Sequence, residues 1–172
     1  MRTTFRLSAA VLAIAVLGVL VLGSAVASAK GGGKKTLRIT AVEDQAEFLD
    51  LGTPGDSLGD EFVFSETLMR RGQDVGMSGV VCTVTNVGTY DVLTLHCVGT
   101  LSLRKGQITL QGLVEIQGLE DPGPFRVAIT GGTGAFRGAG GEAVYRQVDP
   151  GPPVRSVYKL RFDSRKKKNN KR

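Results

Sequence analysis

Residues Ala128 to Gly141 read Ala-Ile-Thr-Gly-Gly-Thr-Gly-Ala-Phe-Arg-Gly-Ala-Gly-Gly, and six of the eleven positions from Gly131 to Gly141 are glycine. Such density calls for turns with positive φ, or for backbone approaches that a Cβ would block. A short apolar run, Val127 to Ile129, leads in, and Glu142-Ala-Val-Tyr-Arg-Gln-Val148 leads out. Thr-Gly-Gly-Thr-Gly also opens some dinucleotide-binding folds, but there a helix and a further βαβ unit follow. Here the sequel carries Gly138, Gly140 and Gly141, and about thirty residues remain. The stretch is therefore read as a tight connection between two strands.

The rest of the chain alternates with the period of strands. Leu37, Ile39, Ala41 and Glu43 share one face of a first strand, with Arg38, Thr40 and Val42 on the other. Residues 45–60 read as a loop, with Gly52-Thr-Pro-Gly55 as its turn. Glu61 to Leu68 then places Phe62, Phe64, Glu66 and Leu68 together. Further strands are predicted at about 75–85, 90–104, 107–117, 124–130, 140–148 and 155–163. Pro150, Pro152 and Pro153 make the last turn and exclude a helix there. Eight short strands on hairpin-length links, without an amphipathic helix, point to an all-β barrel or sandwich.

Four ordered segments resemble those of the allene oxide cyclase and dirigent barrel superfamily. They are Gly59-Asp60 with Phe64 and Leu68, Val75-Gly76 ahead of Cys82, Gly106-Gln-Ile-Thr-Leu-Gln-Gly112, and the Gly-Gly-Thr-Gly-x-Phe stretch at Gly131 to Phe136. The resemblance spans residues 36–163 and implies an eight-stranded antiparallel β-barrel. It also implies a homotrimer packed through barrel walls. In the strand Ile108 to Ile116 both faces carry apolar residues, which suits a partly covered outer wall.

Met1 to Ala29 has the form of a secretory signal peptide. Arg2 and Arg6 supply the basic start, Ala9 to Gly23 the apolar run, and Ala27-Ser28-Ala29 the cleavage site. A retained anchor is the rival, but Lys30, Lys34 and Lys35 place positive charge on the far side as well. The expected layout is a signal peptide at 1–29, a flexible basic arm at 30–35, a barrel at 36–163 and a disordered basic tail at 164–172. The formal charge of +6 misleads about the folded part. Residues 36–164 hold eleven Lys and Arg against sixteen Asp and Glu, a net −5. The tail, Arg165 to Arg172, is either a solvated solubility segment or weakly attracted to anionic surfaces. A specific nucleic-acid partner is not expected, because no aromatic platform accompanies the basic cluster.

No cofactor is expected. The single histidine, His96, has no ligand cluster around it in sequence, so no metal site is assigned. No Gly-x-Ser-x-Gly elbow supports a serine nucleophile. The catalytic candidates are two carboxylates. Glu66 shares its face with Phe62 and Phe64, and the superfamily keeps a functional polar residue at that offset. Glu43 ends the apolar face of the first strand, where cyclases place a glutamate. A carboxylate on an apolar inner face has its pKa raised by desolvation and can act as a general acid or base. The alternative is that either glutamate turns outward, or sits at a hydrated mouth. Phe62, Phe64, Arg137 and Tyr145 are the candidate ligand-binding residues. Arg137 matches the arginine of the dirigent Phe-Arg-x-Ala stretch, and Tyr145 either lines a pocket or fills the wall.

Departures from the resemblance narrow the reaction. Gly112-Leu-Val-Glu-Ile-Gln117 lacks both tyrosines that cyclases carry there, which argues against the plant cyclase reaction itself. Gly140 replaces the second dirigent arginine, which argues against a lignan-type assignment. Cys82 and Cys97 are the only cysteines of a chain read as exported, and they fall on consecutive strands, so a disulfide is expected. The rival is a free pocket thiol at Cys82, as in the cyclases. The functional reading is a secreted barrel that binds a small apolar or phenolic molecule and steers its cyclisation, isomerisation or coupling. The alternatives are a non-catalytic carrier and a cell-surface structural barrel.

Overall fold

The structure is a computed structural model, and it describes residues 35–117 and 121–163. The expected signal peptide, most of the basic arm and the basic tail lie outside the described residues. Eight strands run in chain order: β1 (Lys35–Leu49), β2 (Glu61–Arg70), β3 (Gln73–Val87), β4 (Val92–Leu103), β5 (Gly106–Gln117), β6 (Phe125–Gly132), β7 (Gly141–Asp149) and β8 (Arg155–Phe162). Each pairs antiparallel with the next, and β8 closes on β1, with Lys35 opposite Phe162 and Ile39 opposite Tyr158. Closure gives every strand a neighbour on both sides, with β5 joined to β6 over Ile108–Gln111. The all-β barrel expected from the alternation and the resemblance is the fold observed. Among the described residues a single 3-10 turn, Gly134–Phe136, interrupts the β6–β7 connection.

One stretch of backbone differs from the expectation. The sequence reading places residues 45–49 in a loop, yet β1 continues through them, pairing Gln45 to Leu49 with Ser65 to Glu61. A β-bulge between Glu43 and Gln45 shifts the register there. It moves the inner face from odd to even positions, bringing Phe48 opposite Phe62. Alternation counted through the bulge therefore fails.

The inner faces form two apolar layers. Toward the end that carries the 3-10 turn lie Ile39, Leu68, Leu101, Ile108, Ile129 and Leu160. Toward the other end lie Val84, Leu93, Leu95, Val114 and Ile116, with the Cys82–Cys97 disulfide beside them. Burying one such side chain contributes about 1.5–3 kcal/mol. A slip of one residue would turn every one of them to water, so these layers hold the register. The cysteines face each other across β3 and β4 with S–S 2.05 Å, so the bridge is formed and Cys82 is not a free thiol.

Up-and-down topology sorts the connections between two ends. The β2–β3, β4–β5 and β6–β7 links lie at one end, with the start of β1 and the finish of β8. The glycine stretch lies there because it must pass close over the β4–β5 hairpin. Gly106 (φ 133°) and Gly134 (φ 54°) meet across this contact, and a Cβ on either would strike the backbone of the other segment. Thr133 N and Ala135 N donate to the carbonyls of Gln107 (2.9 Å) and Lys105 (2.7 Å). Gln107 N in return donates to Thr133 Oγ1 at 3.0 Å.

Candidate functional site

Between the two apolar layers the barrel interior turns polar. Glu66 on β2 is 3% exposed. Ser78 Oγ on β3 donates to its Oε2 at 2.6 Å, and Tyr158 Oη on β8 donates to the same oxygen at 2.8 Å. The strand pairing accounts for the first contact, since Ser78 lies directly opposite Glu66. Tyr158 comes from a strand two places away and reaches across the barrel lumen. Burial pushes the Glu66 carboxyl up, outweighing the two hydrogen bonds that favour the charged form. Glu43, opposite Glu66 in the β1–β2 register, and Asp44 push it further the same way. Burial next to Glu66 also holds Tyr158 well above the usual tyrosine range.

A second hydroxyl pair adjoins the first. Ser156 Oγ donates to Tyr145 Oη at 2.5 Å, and burial raises Tyr145 to about 12. The Tyr145 ring meets Tyr158 edge-on at 5.2 Å and stacks on Phe125 at 4.9 Å. An interior void of about 50 Å³ opens here, walled by Phe64, Phe125, Tyr145, Tyr158 and the disulfide. That volume admits a few waters.

The structure thus brings Glu66, Phe64 and Tyr145 into one neighbourhood, with Glu66 behind Tyr158 rather than on the wall of the void. Phe62 faces the same way but packs on Phe48, with ring centroids 4.7 Å apart. Glu43 is half-buried beside Glu66, and its backbone N–H donates to Val154 O at 2.9 Å. Arg137 does not join them. It follows the 3-10 turn and lines a separate cavity of about 940 Å³ at the glycine-stretch end of the barrel. His96 lies within hydrogen-bond reach of Gln111, at 2.8 Å between Nε2 atoms.

Sequence reasoning missed Ser78, Ser156 and Tyr158 as site residues. A signal was present, because Ser156, Tyr158 and Leu160 alternate as cleanly as the residues of β2. It also missed what Asp60 does. That carboxylate is shielded from water at shallow depth, under the amides of its own loop. It accepts from Leu51 N (2.9 Å), Gly52 N (3.2 Å), Ser57 N (2.7 Å) and Ser57 Oγ (3.0 Å). These donors, led by Leu51 N, hold it below the usual carboxylate range. Asp60 organises the β1–β2 connection.

A closed eight-stranded antiparallel barrel with a polar cluster on its inner wall defines a recognised class. The chain belongs to the allene oxide cyclase barrel-like domain family, whose model matches residues 35–160. Among solved structures it is similar to a pyocyanin demethylase, with 32% identity and TM-score 0.61, covering 72% of this chain and 98% of that one. It is also similar in fold to a pterocarpan synthase dirigent protein, at 18% identity and TM-score 0.58, covering 80% of this chain and 99% of that one. An exo-specific intermolecular Diels-Alderase matches at 14% identity and TM-score 0.56, covering 76% and 98%. No curated protein matches the chain.

Proposed function

We propose that this chain is an exported barrel that holds a small apolar or phenolic molecule against its inner aromatic wall and steers its cyclisation, isomerisation or coupling. Glu66 is the proton-transferring group. The observation that carries the reading is the Glu66 carboxyl, buried and biased toward its neutral form behind the aromatic wall. Both neighbouring hydroxyls fall on Oε2, which leaves Oε1 to carry the proton and give it up. Solved relatives named for a demethylation, a synthase and a cycloaddition support the small-molecule half of the reading. The void is lined by Phe125, Tyr145 and Tyr158, and Tyr158 Oη stands between it and Glu66.

The size of the void favours a second reading, in which the barrel is a structural or cell-surface interaction module and its filled interior is core. Glu66→Gln separates the two. Protein recovered from its own culture medium should carry a co-purified small molecule in a native mass spectrum. The variant should fold and retain that molecule, yet turn it over about 10²–10⁴-fold more slowly. Equal turnover by the variant, or no bound molecule on the unaltered protein, would leave the second reading standing.

A further inference from the structure

The larger cavity lies outside the interior site, and its chemistry is different. It opens at the glycine-stretch end of the barrel, and its volume of about 940 Å³ is within the range of small-molecule pockets. Its floor and walls are apolar: Leu37 and Ile39 from β1, Val75 from β3, Leu103 from β4, and Phe136 and Phe162. The last two rings lie nearly parallel, 22° apart in plane, at a centroid distance of 6.2 Å. Around this apolar bowl stand five cations, Lys35, Arg70, Arg104, Lys105 and Arg137, against the single carboxylate of Asp163.

The distribution runs against the composition. Residues 36–164 are net negative, yet four of their eleven cations, Arg70, Arg104, Lys105 and Arg137, line this one mouth with Lys35 beside them. Among the described residues none of the five is in an ion pair, and the salt bridges present join Arg126 and Arg161 to Glu142 instead. Arg104 spends one guanidinium N–H on Asp74 O at 3.1 Å, which aims it without neutralising it. Unpaired cations around a low-dielectric bowl focus a positive potential into it.

We propose that this mouth is a binding site for a small aromatic anion. Its flat body packs against Phe136 and Phe162, and its carboxylate, sulfonate or phosphate is held by the rim cations, chiefly Arg137 and Lys105. The cavity favours a small molecule over a membrane surface, because a flat anionic surface would need the cations but not the bowl. This site is independent of the interior reading. It uses none of Glu66, Tyr145 or Tyr158, and it stands whether or not the interior is catalytic.

A matched pair of probes tests it on the full chain, with the basic tail kept in every variant. The anion 1-anilinonaphthalene-8-sulfonate and the neutral N-phenyl-1-naphthylamine share one aromatic frame. The sulfonate should bind saturably with one site per barrel, and more weakly as salt rises. Lys105→Gln and Arg137→Gln should each weaken the sulfonate by about two- to fivefold, as expected for partly exposed charge contacts, and leave the neutral probe unchanged. Phe136→Leu should weaken both. Equal binding of the two probes, or sulfonate affinity indifferent to both cation substitutions, overturns the proposal. So does a result in which anionic phospholipid vesicles, and not the sulfonate, lose affinity for the variants, since the mouth is then a membrane contact.

Discussion

Glu66 is a carboxyl on which opposing demands meet. Water has been removed from it, Glu43 faces it across the strand pair, and two hydroxyls point at one of its oxygens. Desolvation wins, so its pKa in the folded chain lies above the ordinary value of 4.5. The sign of the consequence follows from linkage. The folded state holds this proton more tightly than the unfolded chain does. Its contribution is fully present below the unfolded pKa and is lost as pH rises through the folded one. Urea unfolding measured across pH 4 to 8 should therefore show wild type losing ground to Glu66→Gln as pH rises. A flat difference between the two across that interval would show that folding leaves the Glu66 pKa where the unfolded chain has it. Asp60 has the opposite sign: its stabilisation is present above the ordinary carboxylate value and fades as pH falls through its lowered pKa. That Glu66 shares a face with Phe62, Phe64 and Leu68 was legible, but alternation alone left open whether that face turns inward. The partners of Glu66 were not legible, because Ser78 and Tyr158 lie 12 and 92 residues away and only register brings them in.

Among the elements, the β3–β4 hairpin carries the covalent tie. Cys82 and Cys97 close a loop of 15 residues, worth about 3 kcal/mol in the chain-entropy account. Replacing both by serine should lower the unfolding free energy by roughly that amount. Two buried hydroxyls in an apolar layer would add to the loss. Chemical denaturation of the double variant beside the oxidised protein measures it; no change in midpoint would mean that pairing with β2 and β5 already holds the hairpin. The pairing of these two cysteines was accessible before the structure, because their strands are consecutive. The course of β1 past Glu43 was not. A bulge leaves no mark in a polar stretch such as Asp44-Gln-Ala-Glu47, and the pairing of that half of β1 is decided by β2. The glycine stretch was recognisable as a special connection, but its partner was not. Gly106 and Gly134 need each other, and they are far apart in the chain.

At the scale of the whole molecule, the outer wall is the unexplained surface. Val63, Val81 and Val98 stand in one row across β2, β3 and β4, and Met77 and Leu113, 57% and 64% exposed, flank it. A wall of this kind suits burial against another copy. The proposal therefore includes assembly into a homotrimer through this wall, together with export after cleavage near Ala29. A native mass spectrum of protein from the culture medium reads both at once. It should show three copies of a chain beginning within a few residues of Lys30. Leu113→Glu with Val98→Glu should reduce that mass to a single copy while leaving the barrel folded. A single-copy mass for the unaltered protein defeats the trimer, and a chain that still carries Met1 defeats the cleavage.

Local pattern determined most of the strands here, because a period of two along the chain is enough to specify an inner and an outer face. It determined that Phe62, Phe64, Glu66 and Leu68 share a side, that the cysteines lie on neighbouring strands, and that Gly131 to Gly141 must be a close connection. The even spacing of eight strands, with the four family segments in order, carried that pattern as far as the barrel. Closure decided the rest. Joining β8 to β1 sets Tyr158 against Glu66, leaves a small void lined by Tyr158 and not by Glu66, and brings Arg70, Arg104, Lys105 and Arg137 around one mouth. Those cations come from three connections separated by some thirty residues each, and no local pattern links them. What gathers them is that alternate turns of an up-and-down barrel fall at the same end, which becomes a statement about side chains only once the barrel is closed.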